Sequence, residues 1–279
     1  MGWLLLEKNK TKTIIAIIII GIILVVNVMP FLWLILTSLK TRLDIFAIPP
    51  KFFFHPTAKN FISAFTKRHF LPMFYNSLII SASTTLLSLA VGTLGAYSLA
   101  RFKLFGDKHI SFWILSTRMF PPIVLVIPFF IMATRWGLHD TRSLLVIVYT
   151  TFNLPFVVWI MRSFFEDIPS DLEKAAMVDG YSRWDAFWKV ILPLSAPGLV
   201  TTAILCFIFS WNEFLFANVL TAAMAKTVPV GIRGLVTSRA IEWGEIAAVA
   251  TLQVIPVLVF TFAVQKYIIR GLTLGAVKG

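Results

Sequence analysis

The stretch "DLEKAAMVDGYSRWDAFWKVILPLSAPGLV", from Asp171 to Val200, is a polar segment that lies between two long apolar runs. It has the pattern of two short helices separated by one glycine, Gly180, and followed by two prolines, Pro193 and Pro197. None of its residues is a nucleophile beside a base. The stretch therefore predicts a structural or docking element at the face of a membrane rather than a catalytic centre.

The composition around this stretch is that of a membrane protein. Hydrophobic residues make up 58% of the 279 residues and charged residues only 14%, with a mean hydropathy of +0.85. Soluble domains are about 45–50% apolar and about 25% charged. The net charge of +12 comes from basic residues scattered through the connections between apolar runs. This distribution favours contact with lipid head groups and argues against a nucleic-acid partner.

Six segments are long and apolar enough to cross a bilayer as helices, which takes about 20 residues. Each must be helical, because lipid offers no partner for backbone N–H and C=O groups. The sequence thus predicts one all-α integral membrane domain over residues 1–279, with both termini on the same side. Lys and Arg are divided almost evenly between the two sides, so charge does not orient the chain. The predicted spans are 14–36, 74–99, 110–133, 143–165, 198–220 and 246–269.

Capping signals define the two short helices of the polar segment. Ser170 and Glu173 match the capping-box pattern at the start of the first helix. Gly180 is suited to the left-handed position that ends it, and Ser182 is a candidate N-cap for the second helix. Ala175 and Ala176 are small, so a partner could approach the first helix closely. The second helix brings aromatic residues that favour the membrane interface, namely Trp184, Phe187 and Trp188.

The segment resembles the EAA loop of the permease subunits of ABC importers. Glu173-Lys174-Ala175-Ala176, Asp179-Gly180 and Val190-Ile191-Leu192-Pro193 follow the spacing of that loop, with Lys174 at the usual glutamate position. "SFFEDIPSDLEKAAMVDG", "FSWNEF" and the final "GLTLGAVKG" resemble the carbohydrate-type members, so the likeness covers nearly the whole chain.

The resemblance implies a fold, a function and a set of partners. It implies six spans, a cytoplasmic helix-turn-helix coupling loop at residues 166–197, cytoplasmic termini and a bacterial or archaeal cell membrane. The implied partners are a second permease subunit, two ATPase subunits that use ATP and Mg, and an extracytoplasmic solute-binding protein. The implied cargo is a sugar, oligosaccharide or sugar alcohol. The residues implied to contact the ATPase are Glu173, Lys174, Ala175, Ala176, Asp179, Gly180 and Pro193.

Features of catalytic and metal sites are missing from the sequence. There is no GxxxxGK[ST] phosphate loop, so this chain cannot be its own ATPase by that route. Cys206 is the only cysteine, and the four histidines are far apart, so no cofactor or metal is expected. Two other classes stay open: an anchoring or assembly subunit that binds a cytosolic partner, and a secondary transporter. The second would need a coupling-ion site, which no paired acids in the spans supply.

Four polar residues within the predicted spans are candidates for the substrate path: Arg118, Asn153, Asn212 and Glu213. Ionisable groups inside a membrane are functional candidates by default. The alternative is purely structural, with Arg118 and Glu213 satisfying each other or backbone carbonyls.

The connection after the fifth predicted span alternates apolar residues with glycine and proline. Apolar residues exposed to water indicate a partner or a partial fold into the cavity. The resemblance implies that the connection lies outside, so that Pro229, Val230, Gly231 and Gly234 face the binding protein. The alternative is a loop that packs back on its own spans.

Overall fold

The computed structural model describes residues 10–102, 105–238 and 240–276. Within these ranges the regular structure is helical, apart from one antiparallel bridge between Val236 and Ile241. The all-α prediction is therefore confirmed. The helices are α1 (Lys10–Ser38), α2 (Arg42–Ile45), α3 (Lys59–Thr66), α4 (Phe70–Arg101), α5 (Asp107–Met119), α6 (Pro122–Arg135), α7 (Arg142–Asp167), α8 (Ser170–Val178), α9 (Arg183–Ala186), a π-helical turn (Phe187–Ile191), α10 (Leu192–Leu194), α11 (Ala196–Trp211), α12 (Leu215–Leu220), α13 (Val228–Arg233) and α14 (Trp243–Ala276).

Four of these helices, α1, α4, α7 and α14, are each long and apolar enough to cross a membrane. They coincide with four of the six predicted spans. Within the described ranges the count rises to six if each of two bent helix pairs forms one span. In one pair, α5 and α6 meet at 89°; in the other, Arg183–Leu194 and Ala196–Trp211 meet at 74°.

The third and fifth predicted spans are not single helices, and here the expectation of continuous helices is wrong. The helix expected over 110–133 breaks at Phe120 and Pro121, which both have extended backbones. Proline disfavours the helical conformation in the residue before it, and two prolines follow Phe120. The helix expected over 198–220 stops at Trp211 and begins again at Leu215.

The chain divides into two compact units. The first unit takes Met1–His69 with Gly234–Val254. In its described part, the Asn60 side chain donates to the carbonyls of Ser38 and Lys40, at 2.8 and 2.9 Å. The Lys40 ammonium is buried 4.3 Å from the centre of the Trp33 ring, where a cation–π contact offsets part of its lost hydration.

The second unit takes Phe70–Arg233 with Ile255–Gly279, and its core lies where α4, α7 and α11 pack together. Small residues allow the close approach of these helices. An added Cβ at Gly92 of α4 would lie 2.6 Å from Cγ1 of Val157 on α7. An added Cβ at Gly198 of α11 would overlap the Phe164 ring. Both glycines are therefore fixed by packing rather than by backbone conformation.

This packing gives a paired prediction for α4. We expect Gly92→Ala to lower the free energy of unfolding by about 1–3 kcal/mol, the usual cost of overpacking a filled core. Gly95→Ala is the matched control, because an added Cβ there would meet its nearest neighbour, Val158, at an ordinary 3.7 Å. The measurement is the thermal unfolding midpoint of each purified protein in detergent. Equal midpoints for the two variants would contradict the close approach of α4 and α7.

Candidate functional site

The start of the first short helix, α8, differs from the prediction made from its sequence. α8 starts at Ser170 itself, and Pro169 takes the N-cap position without a side-chain hydrogen bond. The predicted capping box of Ser170 and Glu173 is therefore wrong. The physical reason is that Glu173 turns inward, where stronger partners bind its carboxylate.

The end of α8 agrees with its sequence pattern. Gly180 has φ +93°, the left-handed conformation that glycine adopts most readily. Its N–H donates to the Met177 carbonyl at 3.2 Å, and the N–H of Tyr181 donates to the Ala176 carbonyl at 3.1 Å. This pair of bonds is the Schellman motif, which satisfies the last carbonyls of a helix. The glycine thereby fixes the angle at which the chain leaves α8.

The start of the second short helix also agrees with the sequence. The Ser182 hydroxyl accepts the backbone N–H of Asp185 at 3.1 Å, as an N-cap does. The chain then passes through the π-helical turn, where Phe187 is buried against Tyr97, with ring centres 4.6 Å apart. Trp184 and Trp188 remain exposed, as expected of side chains at a membrane interface.

The exposed face of α8 differs from the expected one. Ala176 and Glu173 are buried, at 6% and 5% exposed, and their implied contact with the ATPase stays a prediction. The exposed apolar side chains of α8 are instead Leu172 and Val178, on either side of the exposed Ala175. The remaining residues of the implied ATPase contact are exposed, namely Lys174, Asp179, Gly180 and Pro193.

Glu173 joins α8 to α4 through a buried network that sequence reasoning missed. The Tyr97 hydroxyl donates to Oε1 of Glu173 at 2.5 Å, and Nε of Arg101 lies 3.1 Å from Oε2. Arg101 also donates to the carbonyl of Ile168, the residue after α7, at 2.8 Å. The side chains of Arg101 and Glu173 are only 9% and 7% exposed. The only sequence signal was an arginine at the end of a span.

A cavity of about 340 Å³ lies beside the two helix breaks. Arg118 lies just before the break between α5 and α6, and Glu213 lies in the break between α11 and α12. Half-helices that end within a membrane are typical of transport sites, because their free backbone groups face the path. The lining residues are Arg118, Pro122, Tyr149, Phe152, Asn153, Phe209, Ser210, Glu213, Leu215 and Phe216.

Three of the four predicted path residues line this cavity, and Asn212 does not. Asn153 is buried and donates to the Ser210 hydroxyl at 2.9 Å. Asn212 is exposed and donates to the Ile208 carbonyl of its own helix. The cavity therefore separates the two asparagines that the sequence could not distinguish.

Arg118 and Glu213 do not form an ion pair with each other among the described residues. The Glu213 carboxylate accepts the backbone N–H groups of Phe216 and Ala217, at 2.8 and 3.1 Å, and so caps α12. The Arg118 guanidinium lies 4.8 Å from the centre of the Phe156 ring and 5.0 Å from that of Phe209. The cation is thus held over aromatic faces that line the cavity or lie beside it.

Val230 and Gly231 of the fifth connection are packed inside the second unit, so the premise that they are exposed is wrong. Both are buried in α13, which packs on α4. An added Cβ at Gly231 would lie 2.7 Å from the Phe70 ring. Gly234 is exposed and Pro229 is partly buried.

The most exposed large apolar residue of this connection is Met224, with 78% of its surface accessible. A carboxylate holds the turn that presents it. Asp140 accepts the backbone N–H groups of Ala222, Ala223, Met224 and Ala225, each at 2.9–3.0 Å. Partial burial raises the pKa of Asp140, but these four donors outweigh it and lower the pKa to about 2. The carboxylate therefore remains ionised, and the turn anchored, at any physiological pH.

Comparison with known proteins identifies the family to which this chain belongs. The family described as the binding-protein-dependent transport system inner membrane component matches residues 88–274. The chain belongs to this family. It is thus a permease subunit of a binding-protein-dependent ABC importer, embedded in the inner membrane.

The permease is similar to curated proteins over nearly its whole length. It is 42% identical to the trehalose transport system permease protein SugB of Mycobacterium tuberculosis, over 90% of this chain and 92% of that protein. It is 37% identical to the trehalose/maltose transport system permease protein MalG of Thermococcus litoralis, over 94% and 96%. The crystal structure of a bacterial ABC transporter that imports the acidic polysaccharide alginate has the same fold. Its matching chain gives a TM-score of 0.76 at 24% identity, over 93% of this chain and 97% of that one.

Proposed function

We propose that this permease forms half of the pathway through which an ABC importer carries a sugar, oligosaccharide or sugar alcohol. The observation that carries the proposal is the 37–42% identity, over at least nine-tenths of the chain, to permeases named for trehalose and maltose. A second permease subunit would complete the pathway. An extracytoplasmic solute-binding protein would deliver the substrate.

The cavity has the chemistry that a saccharide requires. Phe152, Phe209 and Phe216 offer aromatic faces on which the apolar side of a sugar ring can rest. Asn153 and Ser210 offer an amide and a hydroxyl that can exchange hydrogen bonds with sugar hydroxyls. A mainly apolar lining with a few convergent polar groups is typical of small-molecule sites.

ATP hydrolysis belongs, in this proposal, to two separate ATPase subunits that bind ATP and Mg. The chain contains no GxxxxGK[ST] sequence of its own. The ATPase would receive the exposed face of α8, where Leu172, Ala175 and Val178 are spaced three residues apart. Residues three or four apart share one face of a helix, so this apolar stripe can enter a groove on a partner.

The experiment that tests the function is transport by the reconstituted complex. The permease, its partner permease, the ATPase subunits and the binding protein are placed in liposomes and supplied with trehalose, maltose or glycerol. We expect ATP-dependent accumulation of at least one of these probes, and none when the ATPase subunits are left out. Accumulation that follows an ion gradient without ATPase subunits would instead support a secondary transporter.

We also propose that the polar segment and both termini lie in the cytoplasm. We expect a cysteine at Met224 to react with a membrane-impermeant thiol reagent added to intact cells, and a cysteine at Lys189 to react only after permeabilisation. Both positions are exposed, and the native Cys206 is buried, so the reagent reports sidedness alone. Labelling of Lys189→Cys in intact cells, with Met224→Cys protected, would invert the orientation.

A further inference from the structure

The network of Glu173, Tyr97 and Arg101 connects the polar segment to the membrane-spanning helices. Two other ion pairs of this segment, Lys174 with Asp171 and Lys189 with Asp185, are exposed and bridge residues three or four apart. The pair of Glu173 with Arg101 is buried and crosses from α8 to the end of α4. Exposed ion pairs between nearby residues contribute little to stability, whereas breaking a buried ion pair leaves an uncompensated charge inside the protein. The buried pair is thus the strong connection of this segment.

Arg101 extends the connection to a third element. Its guanidinium lies beside the Glu173 carboxylate and also donates to the Ile168 carbonyl, where α7 ends. A guanidinium can hold two partners at once, because its N–H groups diverge in a fixed plane. One side chain therefore ties together the start of α8, the end of α4 and the end of α7.

Tyr97 adds a hydrogen bond and aromatic packing to this connection. Its hydroxyl binds Glu173, and its ring packs edge-on against Phe165 of α7, with ring centres 5.8 Å apart. The same ring contacts Phe187 of the π-helical turn. Because α7 also carries Tyr149, Phe152 and Asn153 of the cavity, a displacement of α8 that moves α7 would also move residues that line the cavity.

We propose that Glu173, Arg101 and Tyr97 are positioning residues that pass the movement of α8 to α4 and α7, and so couple ATP hydrolysis to the opening of the pathway. Glu173 acts in this role inside the permease, through its contacts with Tyr97 and Arg101. The inference rests on the proposed coupling of this permease to separate ATPase subunits.

The test measures substrate taken up per ATP hydrolysed by the reconstituted complex. Tyr97→Phe is the first variant, because it removes only the hydroxyl and keeps the ring packing. Glu173→Gln removes the charge, and Glu173→Arg combined with Arg101→Glu restores an ion pair of reversed direction. Glu166→Gln is the matched control, because Glu166 forms an exposed ion pair with Arg162 within α7.

We expect uptake per ATP to fall about tenfold in Glu173→Gln, which is within the range of coupling between sites. The fall should be smaller in Tyr97→Phe and partly reversed in the double variant. Glu166→Gln should match the wild type. A purely structural role would reduce the amount of assembled complex and leave uptake per ATP unchanged. If Glu173→Gln does not assemble, Tyr97→Phe decides the matter.

An unchanged ratio in assembled Tyr97→Phe and Glu173→Gln complexes would overturn the proposal. That outcome is distinct from failure of the proposed function. If the wild-type complex shows no ATP-dependent uptake, the transport function fails. If the wild type transports and the variants keep its ratio, only the positioning role fails.

Discussion

Replacing Gly180 with proline should reduce uptake to background and abolish the stimulation of ATPase activity by the binding protein. Gly180 holds φ +93°, whereas proline fixes φ at about −65°. Proline also lacks the N–H that donates to the Met177 carbonyl, so the Schellman motif cannot form. The chain would leave α8 in another direction, and the second short helix would be displaced relative to α8. The measurements are uptake and ATPase rate of the complex, with membrane insertion checked by the yield of purified protein.

Gly180→Asn is the matched control. Asparagine adopts the left-handed conformation more readily than other residues with a side chain. An added Cβ at this position would meet nothing within 4 Å, so the test isolates the backbone conformation from steric overlap. We expect Gly180→Asn to retain most of the uptake. If proline were tolerated as well as asparagine, the turn would have no part in coupling.

Replacing Asn153 with leucine should lower uptake by about tenfold to a hundredfold. Leucine has a similar branched shape but cannot exchange hydrogen bonds with a sugar hydroxyl. A sugar hydroxyl left unpaired in the cavity would cost about 1–3 kcal/mol. Each 1.4 kcal/mol corresponds to about a factor of ten. The fold should survive, because the Ser210 hydroxyl keeps its bond to the Cys206 carbonyl. The measurement is the initial uptake rate, with ATPase activity recorded alongside.

Asn212→Leu is the control for this effect. It makes the same chemical change 59 positions along the chain, at an exposed residue outside the cavity that bonds only within its own turn among the bonds described. We expect its uptake to remain close to that of the wild type. Equal losses in the two variants would show that the cavity is not the pathway, even if the protein is a transporter.

The sequence by itself determined the features that depend on local physics. Apolar length predicted the four continuous spans, because a helix must satisfy its own backbone in lipid whatever surrounds it. Gly180 predicted its own left-handed turn, and Ser182 its own cap, because each needs only residues within three or four positions. Pro121 and Pro122 lie at the 89° break between α5 and α6, where apolar length alone predicted a continuous helix.

The tertiary structure alone decided where each ambiguous side chain is directed. Glu173 had a local partner available in a capping box, but Tyr97 and Arg101, more than 70 residues away, bind it in a buried site where charged contacts are stronger. Helix packing likewise decided that Asn153 lines the cavity and that Asn212 does not. These outcomes depend on which helices become neighbours. Residue spacing along one segment carries no information about that, because the competing partner lies on another helix.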